Sequence, residues 1–168
     1  GSLMRQMYSA RPLRPDPQKP FVLIGCSAQK LDRPAPAQDL YQGDLFLKAR
    51  KYAEAIGADW RILSALHGIV HPLDEVAPYD VCLDKMRAEQ VRDWGYTVGC
   101  RLHIMLLGNK RPITVLAGQA YRDPIFTSVQ GKFYAGQVVA PMAGLGIGQQ
   151  KAWLIRATEE VLQKAGVA

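Results

Sequence analysis

The run Phe21-Val22-Leu23-Ile24-Gly25-Cys26 limits the fold more than any other part of the chain, because it is short, continuous and without polar alternation. A strand with one face in water alternates polar and apolar residues. An unbroken apolar run reads instead as a strand covered on both faces, as in the middle of a parallel sheet. Trp60-Arg61-Ile62-Leu63-Ser64-Ala65 and Pro112-Ile113-Thr114-Val115-Leu116-Ala117 read as a second and third strand, and Gln137-Val138-Val139-Ala140 as a fourth candidate. Helical spacing lies between and after them. Over 44–56 Leu45, Ala49, Tyr52, Ala53 and Ile56 share one stripe before Gly57 stops the helix. Over 84–107 Met86, Val91, Trp94, Val98, Leu102 and Met105 recur at three- and four-residue steps, in a helix that Gly95 and Gly99 weaken. A last helix is predicted over 147–164 with Leu154, Ala157, Val161 and Ala165 facing inward. The alternation predicts an α/β fold over 21–168: a single three-layer domain with a mostly parallel central sheet of about four or five strands and helices on both faces.

Ahead of that domain, Arg5, Arg11, Arg14 and Lys19 lie among Pro12, Pro15 and Pro17, which reads as a disordered basic arm over 1–20. Gly1-Ser2 before Met4 looks like a tag-removal scar. The formal net charge of +6 favours polyanionic partners. Cys26, Cys82 and Cys100 are odd in number, far apart and without zinc-like spacing, so a reduced cytoplasmic setting and no metal are expected. No apolar run approaches the roughly 18 residues of a membrane span, and a monomer with no cofactor is the working expectation.

Ligands of open α/β sheets sit outside the carboxyl ends of the strands. Here that rule selects 26–30, 64–68, 118–121 and 141–148. Cys26-Ser27-Ala28-Gln29-Lys30 can offer backbone N–H groups, a hydroxyl and an ammonium to a phosphate or sugar. It is neither a Walker loop nor a dinucleotide fingerprint, so nucleotide hydrolysis and dinucleotide binding are disfavoured. Ser64 and His67 leave the second strand together, either as a nucleophile with its base or as pocket-lining groups that orient water. Asp44 opens a helix, where a carboxylate caps or catalyses; Asp80 follows Tyr79 in a proline-framed loop. Tyr41, Tyr79 and Tyr121 are candidates to stack on a base, with Gly118 leaving room beside the last, or alternatively cover the core edge.

Several blocks resemble, in order and spacing, the YaaA-like superfamily of peroxide-stress proteins. Ser27-Ala28-Gln29-Lys30-Leu31-Asp32 is similar to that family's Ser-Pro-Ala-Lys-Thr-Leu-Asp opening, and Leu40-Tyr41-Gln42-Gly43-Asp44 to its Leu-Tyr-Ser-Gly-Asp. Leu63-Ser64-Ala65-Leu66-His67-Gly68, Pro72-Leu73-Asp74, Pro78-Tyr79 and Leu116-Ala117-Gly118-Gln119-Ala120-Tyr121 continue the resemblance. The short phage and bacterial relatives without the larger insertions are the nearer likeness, since 32–40 has little room for a helix-hairpin-helix element. The resemblance implies DNA binding, an architecture akin to uracil-DNA-glycosylase-like folds, and an enzyme hydrolysing the N-glycosidic bond of a modified base. The Gly-Gln-Asp-Pro-Tyr-His motif of true uracil glycosylases is absent. The alternatives are a non-catalytic DNA-binding stress protein and an enzyme of free nucleotides.

Overall fold

A computed structural model describes residues 13–166. Its elements run β1 (Phe21–Gly25), β2 (Ala35–Pro36), α1 (Ala37–Leu40), α2 (Asp44–Ala55), β3 (Asp59–Ser64), β4 (Gly68–Val70), β5 (Glu75–Val76), α3 (Ala88–Leu106), β6 (Ile113–Leu116), α4 (Gln119–Phe126), β7 (Val138–Val139) and α5 (Ile147–Lys164), with 3₁₀ turns at Leu83–Lys85 and Gly131–Gln137. The main sheet has the order β4-β3-β1-β6-β7, and β2 pairs with β5 separately. β1 lies parallel to both β3 and β6, and β6 parallel to β7; β4 alone runs antiparallel, against β3.

β1 is central, as its unbroken apolar run requires. Its alternate residues enter different parts of the core: Val22 and Ile24 pack with Ala49 and Ala53 of α2 and Leu154 of α5, while Phe21 and Leu23 pack with Leu102 and Met105 of α3 and Ile125 of α4. The α2 stripe includes Phe46, which the periodicity had not selected, buried beside Tyr41. α5 matches its expected bounds, but Thr158 is buried, with its hydroxyl donating to the Leu154 carbonyl at 2.7 Å, while Ala165 is exposed.

Other expectations are corrected. The helix predicted over 84–107 starts only at Ala88, because Arg87 is extended and its N–H donates to the Gln90 side chain at 3.0 Å, so the chain turns before the helix begins. Gly95 and Gly99 do more than weaken it. A Cβ on Gly95 would lie 2.1 Å from the Pro124 carbonyl oxygen, and one on Gly99 would lie 2.2 Å from Ser128 Oγ, so these glycines let α4 and the following turn approach α3.

The proposed basic arm over 1–20 is not free throughout. Residues 1–12 lie outside the described region, but Pro15 is buried, the Asp16 N–H donates to Asp59 Oδ2 at 2.8 Å, and Arg111 donates to the Asp16 and Lys19 carbonyls. No helix among the described residues is long and apolar enough to cross a membrane.

Candidate functional site

Because β1, β3 and β6 are parallel and in register, with Gly25 opposite Leu63 and Ile24 opposite Leu116, their carboxyl ends open onto one rim. Three segments are tied together there. The loop after β1 pairs with the chain after α1: Leu31 N–H donates to the Leu40 carbonyl at 2.8 Å, Gln42 N–H to the Gln29 carbonyl at 2.9 Å, and Lys30 bridges to Tyr41. The loop after β4 is anchored by the β2–β5 pairing and by the N–H groups of Ala37 and Gln38, which donate to the carbonyls of Asp74 and Pro72. These anchors deliver Tyr79 to the rim.

β3 ends in a tight turn back into β4. Ser64, fully buried, accepts the Leu66 N–H at 3.2 Å and the His67 N–H at 3.0 Å on its Oγ, and Gly68 completes the reversal at φ +73°, which favours glycine. Trp94 of α3 donates its indole N–H to the Ser64 carbonyl at 2.9 Å.

Most of the expected side chains meet here. Tyr79 Oη lies 2.7 Å from Ser64 Oγ and 2.6 Å from Tyr41 Oη. The Lys30 ammonium sits 4.3 Å from the centre of the Tyr79 ring, and the His67 ring meets the same tyrosine edge-on at 5.4 Å. Across the rim, Tyr121 Oη and Cys26 Sγ are 3.4 Å apart, and Tyr121 packs edge-on against Trp94. Gly118 caps α4 three residues before Tyr121 and has open space where a side chain would stand.

Burial holds the Tyr79 and Tyr121 phenols well above the ordinary tyrosine range, with nearby Cys26 acting the same way; burial also raises Tyr41. These hydroxyls are protonated at neutral pH and are therefore hydrogen-bonding groups rather than phenolates.

Four expected roles differ in detail. Tyr41 is fully buried against Phe46, so it covers the core edge and does not stack on a base. Ser64 and His67 do not form a hydrogen-bonded nucleophile–base pair: His67 reaches the serine oxygen through its backbone N–H, and its ring packs on Tyr79. Ser27 is engaged by its own loop, donating to the Gln29 carbonyl at 2.7 Å and accepting the Gly43 N–H at 3.1 Å; a Cβ at Gly43 would come within 2.7 Å of Ser27 Cβ. Asp44 is exposed at the first turn of α2, its carboxylate bound by Lys48 at 2.5 Å and Lys151 of α5 at 3.2 Å. The Lys48 hydrogen bond, then that of Lys151, holds Asp44 below the usual carboxylate range, so it staples α2 to α5. Asp80 is exposed beside Tyr79.

Trp94 was legible only as part of a helical core stripe. Its indole contacts with the rim depend on the α3–β3 packing, which spacing alone does not reveal.

The assembled rim offers protonated phenols, an imidazole, a thiol and an ammonium, a set able to face a flat polar ring and an anion. Comparison with curated proteins and with solved structures gives no match in either case. A family model described as a family of unknown function, DUF6884, matches residues 21–156. That stretch includes the whole sheet and every rim residue described above, and the chain belongs to the DUF6884 family.

Proposed function

We propose that the strand-end rim receives a base of DNA and that the protein hydrolyses the N-glycosidic bond of a modified base. The observation that carries this reading is the convergence of Lys30, Tyr41, Tyr79, His67 and Tyr121 around the carboxyl ends of the parallel strands. An aromatic and hydroxyl-rich rim suits a base turned out of its stack, an ammonium suits the adjoining phosphate, and the net charge of +6 draws in a polyanion. The likeness to YaaA-like proteins over the same blocks, and an α/β fold with a mostly parallel sheet, support the same reading.

In this scheme Lys30 and Cys26 face phosphate and sugar, Tyr121 stacks, and His67 orients water. Asp80 stabilises positive charge on the sugar as the bond between C1′ and the base nitrogen breaks. Water adds to C1′, and the base leaves carrying a proton.

The test is incubation with ordinary and heavily base-modified genomic DNAs, followed by alkaline cleavage and mass analysis of released bases. Strand breaks with one free modified base, lost in Asp80→Asn, are expected; intact DNA across the panel refutes hydrolysis. A second reading, a DNA-binding protein without catalysis, draws on one observation: the Ser64–Tyr79–Tyr41 cluster is joined hydroxyl to hydroxyl, and the Asp44 carboxylate is held by lysines. It expects steeply salt-dependent duplex binding with no base released.

A further inference from the structure

We propose that Tyr79 is a specificity-determining donor, whose hydroxyl hydrogen is given to an acceptor atom, a carbonyl oxygen or ring nitrogen, on the edge of the bound heterocycle. The ligand class rests on the function proposed above; the hydrogen's position does not.

Ser64 Oγ accepts two backbone N–H groups, which occupy both of its lone pairs. Its own hydrogen must therefore go outward, to Tyr79 Oη at 2.7 Å. The contact between Tyr79 and Tyr41 then has two possible directions. If Tyr79 donates to Tyr41, the Tyr41 hydrogen is left in a fully buried side chain, with Ser64 already saturated beside it. Leaving a buried donor unmatched costs about 1–3 kcal/mol. If Tyr41 donates to Tyr79, the spare hydrogen moves to Tyr79, which is only partly buried. Tyr79 Oη then accepts from both Ser64 and Tyr41, and the Tyr79 hydrogen has no acceptor within the cluster.

Tyr79 is also the member of the trio that is only partly buried, with Lys30 over its ring and His67 at its edge. One ring face is thus covered by the ammonium, which favours a hydrogen-bonding role for this tyrosine over a stacking one. Two accepted hydrogen bonds polarise the O–H bond and strengthen it as a donor. A site that presents such a donor rejects analogues that lack the matching acceptor, because the donor is then left unpaired.

Two measurements test this. Neutron diffraction from crystals of the free protein should show the Tyr41 hydrogen between Tyr41 and Tyr79 and the Tyr79 hydrogen outside both contacts. A Tyr79 hydrogen lying between Tyr79 and Tyr41 overturns the proposal, whatever the protein binds. The second measurement uses a labelled duplex with one unpaired guanine, compared with the same duplex carrying 4-methylindole, a flat base without acceptors. The native protein should prefer guanine by about tenfold, and Tyr79→Phe should abolish that preference. A preference that survives in Tyr79→Phe, or its absence in a native protein that binds both duplexes, overturns the proposed donor role. Failure of the native protein to bind either duplex refutes the DNA reading instead, and the hydrogen position still decides whether Tyr79 is a free donor.

Discussion

Ser64 holds the turn after β3 and positions a phenol at the same time, so its removal acts on both. Ser64→Ala leaves the N–H groups of Leu66 and His67 without their acceptor and Tyr79 without its donor; we expect a loss of about 2 kcal/mol in denaturant unfolding. The tyrosines give a pH signature. Tyr41, Tyr79 and Tyr121 are raised above their unfolded range near 10, so their contribution to stability is complete below about pH 10 and is lost as the pH rises above it, where the unfolded chain ionises first. Phenolate absorbance from these residues should therefore appear together with loss of tertiary structure. Phenolate absorbance from all tyrosines in a protein still folded would contradict this. Most rim residues were legible, because strand ends and small-polar segments can be picked out of a sequence. The hydrogen bonding that engages Ser27, and the lysines that bind Asp44, were not legible, since both depend on chain segments meeting across the fold.

At the scale of elements, the closest approach is the crossing of α3 with α4. Gly95→Ala would set a methyl group 2.1 Å from a backbone oxygen, which cannot rotate away as a side chain can, so we expect about 3 kcal/mol of destabilisation and a lowered melting temperature. The Asp44 staple between α2 and α5 makes a gentler prediction. A carboxyl held below its ordinary value stabilises the fold above that value and ceases to as the pH falls through it. The melting temperature of Asp44→Asn should thus lie below that of the native protein at neutral pH, with the gap closing as the pH falls below the ordinary carboxylate range. α4 escaped the sequence reading because Pro124 lies inside it and Gly118 precedes it, both of which read as punctuation. β4 escaped because three residues hold no usable period. α2 and α5 were legible because their apolar stripes are long.

At the scale of the whole molecule, the parallel arrangement of β1, β3 and β6 brings residues from four widely separated segments to one rim. The continuous apolar runs carry the information for that sheet. Antiparallel β4, at its edge, and the small β2–β5 pair were hidden in what reads as loop, yet that pair anchors the loop bearing Tyr79. The central claim is that this rim is where DNA binds, and the most direct test is amide and aromatic chemical-shift mapping of the full chain titrated with base-modified duplex DNA. The account predicts shifts concentrated at 26–30, 64–67, 79–80 and 118–121; shifts confined to the α2–α5 face, or to the opposite end of the sheet around Lys19 and Arg111, would contradict it.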